Sequence, residues 1–439
     1  MKIIPHNYQF SMMSDLLEME KGGFINAGYG LGKTMVILMF AYYVYKRRKD
    51  HVLICVPAST IPNYIRELRN LQFDESFLGY TNNPKTRKEE CKKPIVITSY
   101  DVLDKVNFTG QNIILDEVTM VKDFTSKRVM ELMRIKRENK NNLRFYGLTG
   151  AFDTIELKHY FTYFKLVNDW NLRSIDNLNY FLRIFFDEYV LKTIYVKDKK
   201  ITLTDFKIKK EYKDRIIEGL GKYVKTYNRE IYNDLPQHTT RILYSNEACS
   251  KRSIKSIKDQ YVLETKDNLI LAQEISSGFM YDKDSQSVKS YSYEKLKFCV
   301  KTIQDLVLEN NENVLVFYNF KEEYRYLKNA LQSKKIIVKE AREKNAVADW
   351  NNGKVNVLVC HPQSGGRGLN LQEGGHIYLW VTLPLSLELY QQAKARLHRQ
   401  GQKETVTELI VLHSDVDVHV YNILNNKEYI SENIREYFK

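Results

Sequence analysis

The run Ala27-Gly28-Tyr29-Gly30-Leu31-Gly32-Lys33-Thr34 follows the short apolar stretch GGFIN and leads directly into a second apolar run, MVILMFAYYV. An apolar strand, a glycine-rich turn and an apolar helix in that order commit this part of the chain to an α/β layer, with the turn at the edge of a sheet. Glycines let backbone N–H groups wrap an anion, and the start of the next helix adds its positive dipole end. Lys33 then reaches the outer phosphate oxygens of a nucleoside triphosphate, and Thr34 offers a hydroxyl to Mg²⁺.

A phosphate loop needs an acidic partner on a neighbouring strand. Asn112-Ile113-Ile114-Leu115-Asp116-Glu117 supplies one: the apolar residues bury the strand and leave two carboxylates at its C-terminal end, where ligands bind in open α/β sheets. Asp116 is expected to hold Mg²⁺, and Glu117 to orient and deprotonate the attacking water. Further short apolar runs, at 51–56, 94–98 and 144–148, alternate with amphipathic stretches, and the pattern returns at 313–317, 355–359 and 376–380. Such alternation predicts two α/β lobes with buried parallel sheets. Between them, glycine is sparse and Lys, Tyr and Ile are dense. Helical periodicity fits Lys210–Asn233, with Tyr223, Tyr227 and Tyr232 as packing residues. The expected division is a first lobe over 1–168, a mostly helical insertion and connection over 169–290, and a second lobe over 291–439.

At 439 residues the chain is too long for one ordinary core. It carries a net charge of +13, which favours a polyanionic partner because neutralising phosphates releases counterions. No apolar run is long enough to span a membrane, and the N-terminus lacks the apolar core of a signal peptide, so a cytoplasmic location is expected, that of the host if the source is viral. Cys55, Cys91, Cys249, Cys299 and Cys360 show no metal-ligand spacing and read mostly as core residues.

Taken in order, the motifs resemble those of superfamily 2 helicases, and among them the Snf2-like translocases, most closely the members encoded by bacteriophages and prophages. Pro5-His6-Asn7-Tyr8-Gln9 resembles the adenine-reading element, with Gln9 at the base. Val56-Pro57-Ala58-Ser59 and Ile97-Thr98-Ser99-Tyr100 resemble two motifs that touch a nucleic-acid strand. Leu148-Thr149-Gly150-Ala151 is similar to the element that links nucleotide state to the nucleic-acid surface. In the second half, His361 to Leu371 (HPQSGGRGLNL) and Gln391 to Gln402 (QQAKARLHRQGQ) resemble the fifth and sixth motifs.

The resemblance implies two RecA-like lobes of the P-loop NTPase class that bind ATP and Mg²⁺ and move on DNA, chiefly double-stranded. It places Pro57, Ala58, Ser59, Thr98, Ser99, Ser364, Gly365 and Arg367 at the nucleic acid. It places Gln9, Gly28, Tyr29, Gly30, Leu31, Gly32, Lys33, Thr34, Gly368 and Gln392 at the nucleotide. Arg396 and Arg399, three residues apart, share one face if helical and can aim together at a transferring phosphoryl group; carried on the second lobe, they tie hydrolysis to lobe closure. No reader domain is evident, so sequence choice falls to a protein partner or to DNA shape, and a monomer is expected.

Two positions depart from the family pattern. Thr119 stands where a histidine usually follows the acidic pair, and Ala151-Phe152 replaces the usual Thr-Pro ending. Both fall on elements that couple hydrolysis to movement. The alternatives are a strand-separating DNA or RNA helicase and a DNA-binding scaffold without turnover.

Overall fold

The computed structural model describes residues 4–139, 143–167, 175, 177–196, 199–228, 235–245, 266–282, 287–365 and 369–436, with the side chains of 191–204, 266–268, 364–365 and 429–436 excepted. The chain divides into two compact units, 1–233 with the segment from 431, and 234–430.

In the first unit, runs that are apolar at nearly every position form strands buried on both faces. These are β1 (Gly23–Ala27), β2 (Val52–Val56), β3 (Leu78–Tyr80), β4 (Ile95–Ser99), β5 (Asn112–Asp116) and β6 (Arg144–Thr149). Further on come β7 (Phe186–Val196), β8 (Lys199–Ile208) and β9 (Val224–Tyr227). All but β7 and β8 join one parallel sheet in the order β3-β4-β2-β5-β6-β1-β9. Successive residues of each strand feed opposite faces. Leu53 and Cys55 join a core with Phe24, Ile113 and Phe145, whereas Val52, Ile54 and Val56 join Ile25, Ile114 and Tyr146 on the other side. Helix Lys33–Arg48 covers that second face with Val36, Ile37, Phe40 and Val44, and its last turn, Lys46 to Arg48, complements the negative end of the helix dipole.

The second unit repeats the scheme with β10 (His238–Tyr244), β11 (Phe279–Tyr281), β12 (Val288–Ser290), β13 (Val314–Phe317), β14 (Val338–Glu340), β15 (Val357–Cys360), β16 (Ile377–Trp380) and β17 (Val406–Leu412). Six of them form a parallel sheet in the order β10-β17-β16-β13-β15-β14, and β11 and β12 make a separate antiparallel pair.

A buried ion pair organises one end of this unit. Lys295 is fully enclosed, and its Nζ donates to Asp417 Oδ1 at 2.7 Å and to Thr382 Oγ1 at 3.1 Å. Asp417 also accepts from Ser276 Oγ and from the backbone N–H groups of His413 and Ser414, and together these donors and the lysine hold its carboxyl below the usual range despite burial. Removing one member of such a pair strands the other in an apolar setting. Lys295→Ala is therefore expected to destabilise this unit by about 3–5 kcal/mol, read as a lowered midpoint for its unfolding in urea.

The stretch expected to be mostly helical is more mixed. Helices Leu178–Phe185, Lys213–Gly221 and Lys266–Ser276 are present, but β7 and β8 form an antiparallel hairpin, and β9 and β10 each add an edge strand to one of the two parallel sheets. The periodicity read from Lys210 onward holds only to Gly221. Tyr223 and Tyr227 then lie before and within a strand, because Val224, Thr226 and Tyr227 suit extended backbone beside β1, while Tyr232 lies outside the described residues. Among the described residues no helix is long and apolar enough to cross a membrane.

Candidate nucleotide site and its neighbours

The sheet order sets the geometry of the first unit. β6 lies between β1, which carries the phosphate loop, and β5, which carries the carboxylates. The C-terminal ends of all three strands therefore meet along one edge.

At that edge Gly30 and Gly32 have φ of 93° and 71°, in the left-handed region that favours glycine, and Gly32 caps helix Lys33–Arg48. A Cβ on Gly32 would also collide with the Gln9 amide. Gln9 is almost fully buried against the loop: its Nε2 donates to Leu31 O at 3.2 Å and its Oε1 accepts from His6 N–H at 2.9 Å. Lys33 Nζ donates to Ala27 O at 3.2 Å and stands 5.0 Å from the centre of the Tyr29 ring.

Asp116 is 5% exposed. Burial, and then the charge of Glu117, push its carboxyl well above the usual range, against the opposing pull of Lys33 and of the Tyr64 hydroxyl that faces it. Tyr100 Oη donates to the Asp116 carbonyl at 2.8 Å and fixes the end of β5. Glu117 adopts φ 52°, a left-handed conformation that costs a side-chain-bearing residue about 1–2 kcal/mol. Its Oε2 accepts from Thr149 Oγ1 at 3.1 Å, and the same hydroxyl accepts from Ala151 N–H at 3.3 Å. The glutamate is thus linked through one threonine to the loop after β6.

That loop also reaches β1. Asn26 Nδ2 donates to Asp153 Oδ1 at 3.1 Å, Phe152 N–H donates to Asn26 Oδ1 at 3.2 Å, and both Asn26 and Asp153 are buried. A Cβ on Gly150 would sit 2.8 Å from the Tyr29 ring, so the loop and the phosphate loop are in close packing. Sequence reasoning missed the Asn26–Asp153 link. The available signal was one amide in an otherwise apolar strand, since a buried polar side chain needs a partner. Thr119 lies buried in the turn Val118–Val121 that follows the glutamate.

Mg²⁺ fits the donors offered. Thr34 hydroxyl and Asp116 carboxylate are hard oxygen ligands, and among the described residues no cluster of three or more His, Cys, Asp or Glu could enclose an ion. An ion held by so few protein groups keeps several waters and leans on substrate phosphates, as Mg²⁺ does.

The residues expected at nucleic acid divide. Ala58 and Ser59 are exposed in a short turn between β2 and helix Ile61–Asn70, with Pro57 buried behind them. Thr98 and Ser99 are placed differently. Their side chains are buried at the end of an interior strand, and the Thr98 hydroxyl is engaged with Thr81 Oγ1 at 2.6 Å, so neither hydroxyl faces solvent. In the second unit Ser364 and Gly365 close the short helix Pro362–Gly365, while Arg367 and Gly368 lie outside the described residues.

Arg396 and Arg399 do not lie within a regular helix. Helix Leu387–Lys394 ends before them, and turns carry the chain on to Gly401 at φ 94°. They still converge: Arg396 Nη1 donates to Leu369 O at 3.4 Å, and Arg399 Nη1 to Leu369 O at 3.3 Å and to Asn370 Oδ1 at 2.5 Å. Gln392 is buried, with Nε2 on Glu388 Oε1 at 3.1 Å and its Oε1 without a partner among the described residues.

Two parallel α/β units, the first bearing a phosphate loop and an Asp-Glu pair one strand apart, define a P-loop nucleotide-binding protein of helicase type. Residues 8–151 match the SNF2-related domain and residues 294–401 the helicase conserved C-terminal domain, so the chain belongs to the Snf2-like helicase family. Protein p41 of Acyrthosiphon pisum secondary endosymbiont phage 1 is 31% identical over 173 residues, 38% of this chain and 36% of that protein. The Caenorhabditis elegans SWI/SNF-related matrix-associated actin-dependent regulator of chromatin subfamily A containing DEAD/H box 1 homolog is 22% identical over 489 residues, 91% of this chain and 48% of that one. The chain thus spans half or less of the length of these relatives. Among solved structures, the Pyrococcus furiosus Hef helicase domain shares the fold with a TM-score of 0.53 at 14% identity, covering 95% of this chain and 98% of that one.

Proposed function

We propose that this chain is an ATP-dependent motor of Snf2-like type that hydrolyses ATP to move along double-stranded DNA. The observation that carries the reading is the hydrogen bond between Thr149 Oγ1 and Glu117 Oε2, which joins the residue suited to activating water to the loop after β6. Lys33 and the loop N–H groups bind the triphosphate, Asp116 and Thr34 hold Mg²⁺, and Glu117 takes the proton of the attacking water. Mg²⁺, when bound, neutralises charge on the phosphates. Arg396 and Arg399 supply positive charge to the transferring phosphoryl group. A positive formal charge of +13 suits a phosphate track.

The test is the ATPase rate with double-stranded DNA, single-stranded DNA and RNA at one stated salt concentration, followed by displacement of the third strand from a triplex. Stimulation by duplex and ATP-dependent triplex displacement are expected. Robust unwinding of a forked duplex without triplex displacement would assign the chain to strand separation, and no ATPase under any condition would leave a DNA-binding scaffold.

A further inference from the structure

Among the described residues of the first unit, β7 and β8 pair only with each other. Their register runs from Phe186↔Ile208 to Val196↔Lys199, with an irregularity between Val190 and Lys192. The base is anchored firmly. Phe186 is buried beside Phe181 at 5.6 Å between ring centres, and Phe206 and Ile208 pack on the same core. Lys158 Nζ holds Asp205 Oδ1 at 2.7 Å, and Lys209 Nζ donates to the carbonyls of Arg183 and Ile184.

Above the base the ribbon leaves the core. Residues 187–190 are exposed, Tyr189 at 44% and Val190 at 61%. Past the Val190↔Thr204 pair the two strands run on for about 20 Å at roughly 3.4 Å per residue. Over that length the two strands hold Lys192, Lys199 and Lys200 and no carboxylate, with Lys197 and Asp198 between them in sequence, whereas Asp187, Glu188 and Asp205 belong to the base. A two-stranded ribbon alone is marginal in water, and its width matches the major groove of B-form DNA, where lysines on it meet phosphates.

The base also adjoins the catalytic edge. Phe206, with Leu178 and Leu182, lines a cavity of about 130 Å³ whose other wall is Asp123, Phe124 and Thr125. Those residues continue the turn that follows Glu117, and Thr162 Oγ1 holds the Lys122 carbonyl at 2.9 Å just before them. The ribbon base and the loop leading out of the catalytic pair therefore line one cavity.

We propose that the β7–β8 ribbon is an arm that contacts duplex DNA and that its seat on the loop after Glu117 makes ATP turnover responsive to that contact. The proposal rests on the motor reading above and extends it to a segment that none of the family motifs covers.

Two variants test it. In one, Asn-Gly replaces residues 191–203, keeping Phe186, Phe206 and Ile208 in the core; in the other, Lys192→Gln, Lys199→Gln and Lys200→Gln are combined on an intact ribbon. Both should keep the DNA-independent ATPase rate. The shortened ribbon should lose most of the stimulation by duplex. The lysine variant should bind duplex more weakly, with the slope of log affinity against log salt reduced by up to about 2.7, at about 0.9 per phosphate contact. If wild type is stimulated by duplex and both variants match it in stimulation and slope, the arm is refuted while the motor stands. If wild type neither binds duplex nor responds to it, the motor reading fails and the arm with it. Unchanged DNA binding together with loss of a bound partner protein, or with self-association of the lysine variant, would make the ribbon an edge for strand pairing and overturn the proposal.

Discussion

Glu117→Gln should lower the rate of ATP hydrolysis by about 10²- to 10⁴-fold, the usual range for a positioned general base, while leaving ATP binding close to wild type. The substitution is nearly isosteric. A glutamine Oε1 still accepts from the Thr149 hydroxyl, so the link to the loop after β6 survives and the left-handed backbone at 117 is asked for nothing new. What disappears is the basic oxygen and one negative charge. Losing that charge relieves Asp116, whose carboxyl Glu117 helps to push upward, so nucleotide binding with Mg²⁺ should hold or tighten. Single-turnover phosphate release and equilibrium binding of a fluorescent nucleotide separate the two effects. Wild-type turnover in this variant would show that another residue takes the proton.

The parts of this edge that were readable from sequence are those whose partners are close in the chain. A strand, three glycines, Lys33 and Thr34 occupy one continuous run, and Asp116-Glu117 close a strand of their own. Contacts made across the sheet were not readable. Asn26 meets Asp153 over 127 positions, and Thr149 meets Glu117 over 32, so neither leaves a periodic trace. The burial of Thr98 and Ser99 was not readable either, because a motif names residue types and not burial. Their strand is interior, and the hydroxyl of Thr98 is spent on Thr81.

Short edge strands and the ribbon were hidden for a different reason. Val224–Tyr227 follows a true amphipathic helix with only two residues between, and tyrosines four apart mimic helical spacing even when the last of them lies in a strand. In Phe186–Val196 and Lys199–Ile208, Thr, Ile, Val and Tyr favour extended structure, but frequent lysine obscures the alternation that would mark one buried face. Residues 187–190 are exposed at successive positions and display no such face.

Arg399→Ala is expected to cost about 10³-fold in the rate of hydrolysis, with a much smaller change in ATP affinity, as befits charge that acts mainly on the transition state. Its guanidinium is already aimed by two acceptors, Leu369 O and Asn370 Oδ1, and Arg396 points at the same carbonyl. Because a planar guanidinium matches the oxygens of a phosphoryl group in a way that a single ammonium does not, Arg399→Lys should recover little of the lost rate. The readouts are kcat with saturating duplex DNA and nucleotide affinity measured separately. Equal losses in both would mean that Arg399 serves ground-state binding, and near-complete recovery by lysine would mean that charge alone, and not the planar guanidinium, is what the site requires.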